Sequence, residues 1–125
     1  MNTFRDWRGQ EISEADVLQM APEGWHPILK EAFEKLFALG WDGSIDQIKE
    51  KFGTLRLYIG NETYEMPPVI MEAEEKSCRT CQDCGAQGAK IHPGWSWFLT
   101  QCHDCNKKRE EEEKRRTIGG ESIDY

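Results

Sequence analysis

The chain has 125 residues, 38% of them hydrophobic, with 23 acidic against 16 basic side chains and a formal net charge of −7. That length supports one modest core with an appendage, and no run approaches the ~18 apolar residues of a membrane-spanning helix. The acidity belongs to residues 1–76, which hold 15 acidic and 8 basic residues, while 77–106 and 107–125 are each balanced.

Such an acidic chain is repelled by phosphates unless its cations gather on one face, which disfavours nucleic acid as a partner. Residues 1–10 contain Arg5, Asp6 and Arg8 and no apolar segment, so they do not read as a secretory leader. In a reducing compartment, five cysteines (an odd number) read as thiols or metal ligands rather than as a disulfide framework. The expectation is a cytoplasmic protein.

The first element in chain order is a short helix. Ser13 and Asp16 resemble its start, Val17, Leu18 and Ala21 its apolar face, and Pro22-Glu23-Gly24 its stop. Ile28, Leu29, Ala32, Phe33, Leu36 and Phe37 then recur at three- and four-residue spacing, which predicts an amphipathic helix with Pro27 in its first turn and Gly40 closing it. Leu55, Leu57 and Ile59 alternate with Arg56 and Tyr58 and predict a strand. The stretch before it is ambiguous, because Ile45, Ile48 and Phe52 fit a helix as well as a strand; a hairpin turning at Gly53 is preferred. Pro67 and Pro68 open another helix, through Val69, Ile70 and Ala73 to Ser77, expected to pack on the sheet and to lead into the cysteines without a flexible linker.

Two Cys-x-x-Cys pairs, Cys81/Cys84 and Cys102/Cys105, stand seventeen residues apart. Two residues between cysteines let one tight turn present both sulfurs to a single ion. The longer interval suits a short hairpin that brings the second pair back, with Ala89 to His92 outward, Pro93-Gly94 turning and Trp95 to Gln101 returning. This predicts one structural zinc ion on four thiolates. Cys78 offers an overlapping knuckle with Cys81, but Gly85 directly after Cys84 suits the positive φ of a knuckle turn and favours Cys81/Cys84. His92 and His103 are read as surface residues.

With four protein ligands the site has no open position for a reacting water. The His-x-Glu of a zinc deaminase, the His-Glu-x-x-His and Gly-x-Ser-x-Gly motifs and a phosphate-cradling glycine loop are all absent. The chain is therefore expected not to be an enzyme. From Asn106 to Thr117 no residue is apolar, and Glu110, Glu111 and Glu112 precede Lys114, Arg115 and Arg116 by four, which predicts a solvated helix laced with ion pairs. Its two basic triplets are the alternative route to nucleic acid. Trp95 and Trp97 alternate in the predicted ribbon and either join the two halves or, if exposed, serve a partner. Lys49, Lys51 and Arg56 form a second candidate patch for partner binding.

The segment from Gln47 to Tyr58, with Glu72 to Ser77 and Cys81-Gln-Asp-Cys84-Gly85, resembles a family of small zinc-ribbon proteins from bacteria and their phages and prophages. The resemblance covers roughly residues 24–106, and its most recognisable pieces are Lys49 to Tyr58 and the two knuckles. No activity is attached to that family. It implies a bacterial cytoplasmic setting and an accessory role, such as a phage-encoded inhibitor or modulator of a host complex, for instance a defence system, acting through a protein partner. The expected architecture is α+β: an acidic helix and hairpin part over 1–76, a four-cysteine zinc ribbon over 77–106, and a charged helix with a loose tail over 107–125.

Overall fold

The spacing of apolar residues makes His26–Ala38 the central helix, α2, which buries Ile28, Leu29, Ala32, Phe33 and Leu36. In this computed structural model residues 3–93 and 98–118 are described, with side chains through Arg115. Strands β1 (Phe4–Arg5) and β2 (Glu11–Ile12) pair antiparallel ahead of α1 (Glu14–Leu18). Ser13 caps α1, its hydroxyl accepting from the Asp16 N–H at 3.1 Å. Pro27 lies in the first turn of α2, where an absent N–H costs nothing. Gly40, at φ 96, follows its C-terminus. Phe4 reaches back from β1 to meet Phe33 and Phe37 edge-on, at centroid distances of 5.0 and 5.4 Å.

Strands β3 (Ile45–Lys51) and β4 (Thr54–Ile59) form the preferred hairpin. The tip is Phe52-Gly53 at φ 54 and 82, a two-residue turn of the primed type that matches the strand twist. A register shift between Ile45 and Gln47 explains the ambiguity of this stretch. The bulge turns Ile45 and Ile48 to the same buried side although they are three residues apart, so a strand imitates helical spacing. Phe52 takes no part in that stripe: it stands at the tip, exposed.

Helix α3 (Pro67–Ser77) packs on α2 and β4. It covers the outer edge of β4 with side chains: Ser77 Oγ accepts from the Leu55 N–H at 2.9 Å and Glu74 Oε2 from the Leu57 N–H at 3.1 Å. An edge satisfied in this way offers no template for a stray strand. Ser77→Ala leaves the buried Leu55 N–H without an acceptor and should destabilise the fold by about 1–3 kcal/mol, read as a lower urea midpoint at constant slope. On the solvent side, Lys35 donates to Glu72 at 2.8 Å and Lys76 to Glu31 at 2.7 Å. These ammonium groups hold both carboxyls below their ordinary range. Pairs this exposed contribute little to stability.

The C-terminal part consists of β5 (Lys90–Pro93), β6 (Phe98–Gln101) and α4 (His103–Ile118). Its antiparallel register runs from Lys90↔Gln101 to Pro93↔Phe98. The architecture is α+β, with the cysteines gathered before the final helix. Pro93 ends β5 rather than beginning a turn, because it is paired with Phe98; the predicted turn at Gly94 and the placement of Trp95 and Trp97 lie outside the described residues.

Helix α4 differs from expectation in two ways. It begins at His103, ahead of the apolar-free run, and it is not wholly solvated. Arg109 folds back onto β6, where its Nε donates to Gln101 Oε1 at 3.0 Å, and it pairs with Glu113 at 2.9 Å. The expected pairs Glu110–Lys114 and Glu111–Arg115 do not form within ion-pair distance, and Glu112–Arg116 lies outside the described side chains. What orients this helix is a polar contact to a strand, to which the four-residue charge pattern is blind.

Candidate metal centre

The first knuckle is a tight loop closed by the Thr80–Gln87 bridge. The Cys81 N–H donates to Ala86 O at 2.8 Å and the Gly85 N–H to Cys81 O at 2.9 Å. Gly85 has φ 83, the left-handed conformation expected of it. The β5–β6 hairpin returns the chain so that Cys102 directly precedes α4 and Cys105 falls in its first turn. There the Cys105 N–H donates to Cys102 Sγ at 3.4 Å.

The four sulfurs of Cys81, Cys84, Cys102 and Cys105 lie within 4.8 Å of one another. Cys84 and Cys102 approach to 3.7 Å, and thiolates at about 2.3 Å around a tetrahedral ion are about 3.8 Å apart. The cluster is therefore suited to holding one metal ion. Cys81 is fully buried, Cys84 exposed, and Cys102 and Cys105 intermediate. Cys78 stands apart at the end of α3, its thiol donating to Glu74 O at 3.6 Å. His92 and His103 do not join the group.

The electrostatics of the free thiols conflict in a way that a cation resolves. Burial works against the Cys81 thiolate, but the N–H groups of Cys84, Cys102 and Asp83 aimed at its sulfur outweigh it and bring its pKa to about 7. Burial, reinforced by the Cys102, Cys81 and Cys84 sulfurs, pushes Cys105 up. Cys84 is also raised: an N–H from Ala86 favours its thiolate, yet the sulfurs of Cys81 and Cys102 prevail. One thiolate is favoured while Cys84 and Cys105 hold their protons more tightly than free thiols. A divalent cation displaces those protons and satisfies all four sulfurs together.

The cluster is seated on the N-terminal core by backbone. The Gly24 N–H donates to Gln82 O at 2.8 Å, and the Trp25 Nε1–H donates to Thr80 O at 2.9 Å inside the core. A Cβ on Gly24 would stand 2.0 Å from Cys81 O. On the other side Gln82 N–H donates to Thr100 O and Thr100 N–H to Gln82 Oε1, at 2.9 and 3.0 Å. Thr100 Oγ1 donates to Gly53 O, so β6 also holds the β3–β4 tip. None of these partners was legible as part of the site, since Gly24 reads simply as the stop of α1.

Comparison of the chain with protein-family models, with curated proteins and with solved structures finds no match. Of the residues expected to meet a partner, Lys49, Lys51 and Arg56 come together on one face of the β3–β4 hairpin. Trp95 and Trp97 lie outside the described residues. Among the described residues no helix is long and apolar enough to cross a membrane.

Proposed function

We propose that this is a non-catalytic binding protein in which one zinc ion, held by Cys81, Cys84, Cys102 and Cys105, fastens the β5–β6 hairpin and α4 to the α+β core. The observation that carries this reading is the four-sulfur cluster itself. Four protein ligands complete a tetrahedron and leave no corner for water or substrate. Such an ion supplies folding free energy, on the order of 10 kcal/mol or more. A small protein with its metal closed off acts through the surfaces that the metal holds in place. The resemblance to zinc-ribbon proteins of bacteria and their phages supports an accessory role of this kind, in a bacterial cytoplasm.

The test is metal analysis followed by cobalt(II) exchange. Purified protein should contain about one zinc per chain, as one four-thiolate site requires. Its cobalt form should show an intense thiolate charge-transfer band and tetrahedral d–d bands that added cyanide or azide leaves unchanged. A spectrum that shifts with those anions would reveal an open coordination position and overturn the non-catalytic reading. A metal other than zinc in protein from zinc-replete cells would overturn the assignment of the ion.

A further inference from the structure

The register pairs Gln47 with Tyr58, Lys49 with Arg56 and Lys51 with Thr54. These six side chains share the hairpin face turned away from the core, while Ile48, Leu55 and Leu57 fill the buried face. Three cations thus stand together in a chain of net charge −7. Among the described residues none of the three is in an ion pair. Lys49 and Arg56 are directly opposite each other, where like charges destabilise a strand pair. Arg56 Nε is buried with no hydrogen-bond partner, a donor left unsatisfied. An anion on this face would relieve the like-charge pairing.

Aromatic rings stand at both ends of the cations. Tyr58, 46% exposed, lies at one end; Phe52, 63% exposed, lies at the tip beside Phe98, 45% exposed. The Phe52 and Phe98 rings meet at 6.3 Å, and Lys51 Nζ sits 5.7 Å over Phe52. A primed two-residue turn is best served by asparagine or aspartate before glycine. Here a phenylalanine occupies the left-handed position at φ 54 and turns its ring to solvent. Strain joined to an exposed ring points to a purpose other than folding.

We propose that this face binds single-stranded nucleic acid, with Lys49, Lys51 and Arg56 meeting phosphates and Phe52, Tyr58 and Phe98 stacking on bases. The proposal rests on the binding-protein reading above and names its ligand. Cations flanked at both ends by exposed rings on one sheet face match a strand that is anionic along its backbone and flat along its bases. An acidic peptide would satisfy the cations and leave the rings in water. Acid excess elsewhere acts at longer range and is screened beyond about 8 Å in physiological salt. The bond from Thr100 to Gly53 ties the tip to the strand that leads into the second knuckle, so the metal helps to hold the face.

The experiment is fluorescence anisotropy of the zinc-loaded full chain with labelled oligothymidylate and oligouridylate, at low and physiological salt, with the same sequence in duplex form as competitor. Single strands should bind saturably and in preference to duplex. Phe52→Asn and Tyr58→Ala should each weaken binding at least about fivefold, the loss of one stacked base. Lys49→Ala and Arg56→Ala should each flatten the log–log salt slope by roughly 0.7. Phe52→Asn is decisive, because asparagine suits the left-handed turn: the variant should melt no lower than the parent while binding less. Absence of single-strand binding overturns the proposal, as does binding unaltered in both Phe52→Asn and Arg56→Ala. Preference for a polyglutamate peptide over either oligonucleotide assigns the face to a protein partner and overturns it too. If the cobalt site is closed and no strand binds, this proposal alone fails; an open cobalt site removes the non-catalytic reading whatever the face binds.

Discussion

Cys81→Ser should abolish metal binding and melt the C-terminal part, whereas Cys78→Ser should do neither. Cys81 is the fully buried corner of the cluster, and backbone N–H groups from both knuckles converge on its sulfur. A serine oxygen there is a poor ligand and leaves three sulfurs around an incomplete site. The free energy of metal binding, on the order of 10 kcal/mol, is comparable to the whole stability of a domain this size. Among the described residues of 80–106, Thr80, Cys81, Ala89, Thr100 and Gln101 are buried, which is little apolar surface to hold that segment without an ion. Metal content by mass spectrometry and amide exchange over 80–106 provide the readout: zinc lost, protection lost in that segment, α2 still protected. Cys78→Ser removes a weak bond to Glu74 O and should keep the zinc. Zinc retained in Cys81→Ser, or lost in Cys78→Ser, would show that the ligand set is wrong.

Gly24→Ala should separate the metal centre from the core without touching a ligand. The added methyl would lie 2.0 Å from Cys81 O and 2.6 Å from the Gln82 carbonyl carbon. Both are backbone atoms, which no side-chain rotation relieves. The first knuckle must therefore move away, straining the bond from Gly24 to Gln82 and the bond from Trp25 to Thr80. Overpacking of this kind costs about 1–3 kcal/mol, which at this chain length lowers Tm by roughly 4–12 °C. Zinc should still bind but should pass faster to a chromophoric chelator, because the knuckle has lost its rigid seat. Wild-type melting together with a wild-type release rate would show that the seat contributes nothing.

The four-cysteine cluster was legible in the sequence because its signal is local. Spacing within each Cys-x-x-Cys pair and the glycine after Cys84 report a turn that a few residues build by themselves. The α2 stripe and the cap at Ser13 were legible for the same reason. The stretch from Ile45 to Phe52 was ambiguous because a bulge alters strand periodicity, and a bulge is a property of two strands in register. The contacts of α4 were only partly legible, because Arg109 answers to Gln101 in a neighbouring strand as well as to Glu113 and Asn106 in its own helix.

By itself the sequence determined that one chain carries an α+β core, a four-cysteine site and an acidic N-terminal part, since each rests on composition or on contacts within a turn. Tertiary structure alone decided what those parts face. It placed Gly24 and Trp25 beneath the first knuckle, set Ser77 and Glu74 along the edge of β4, and brought Phe98 against Phe52 at the hairpin tip. These juxtapositions join residues far apart in the chain through packing and backbone bonds, and no periodicity along the chain records them.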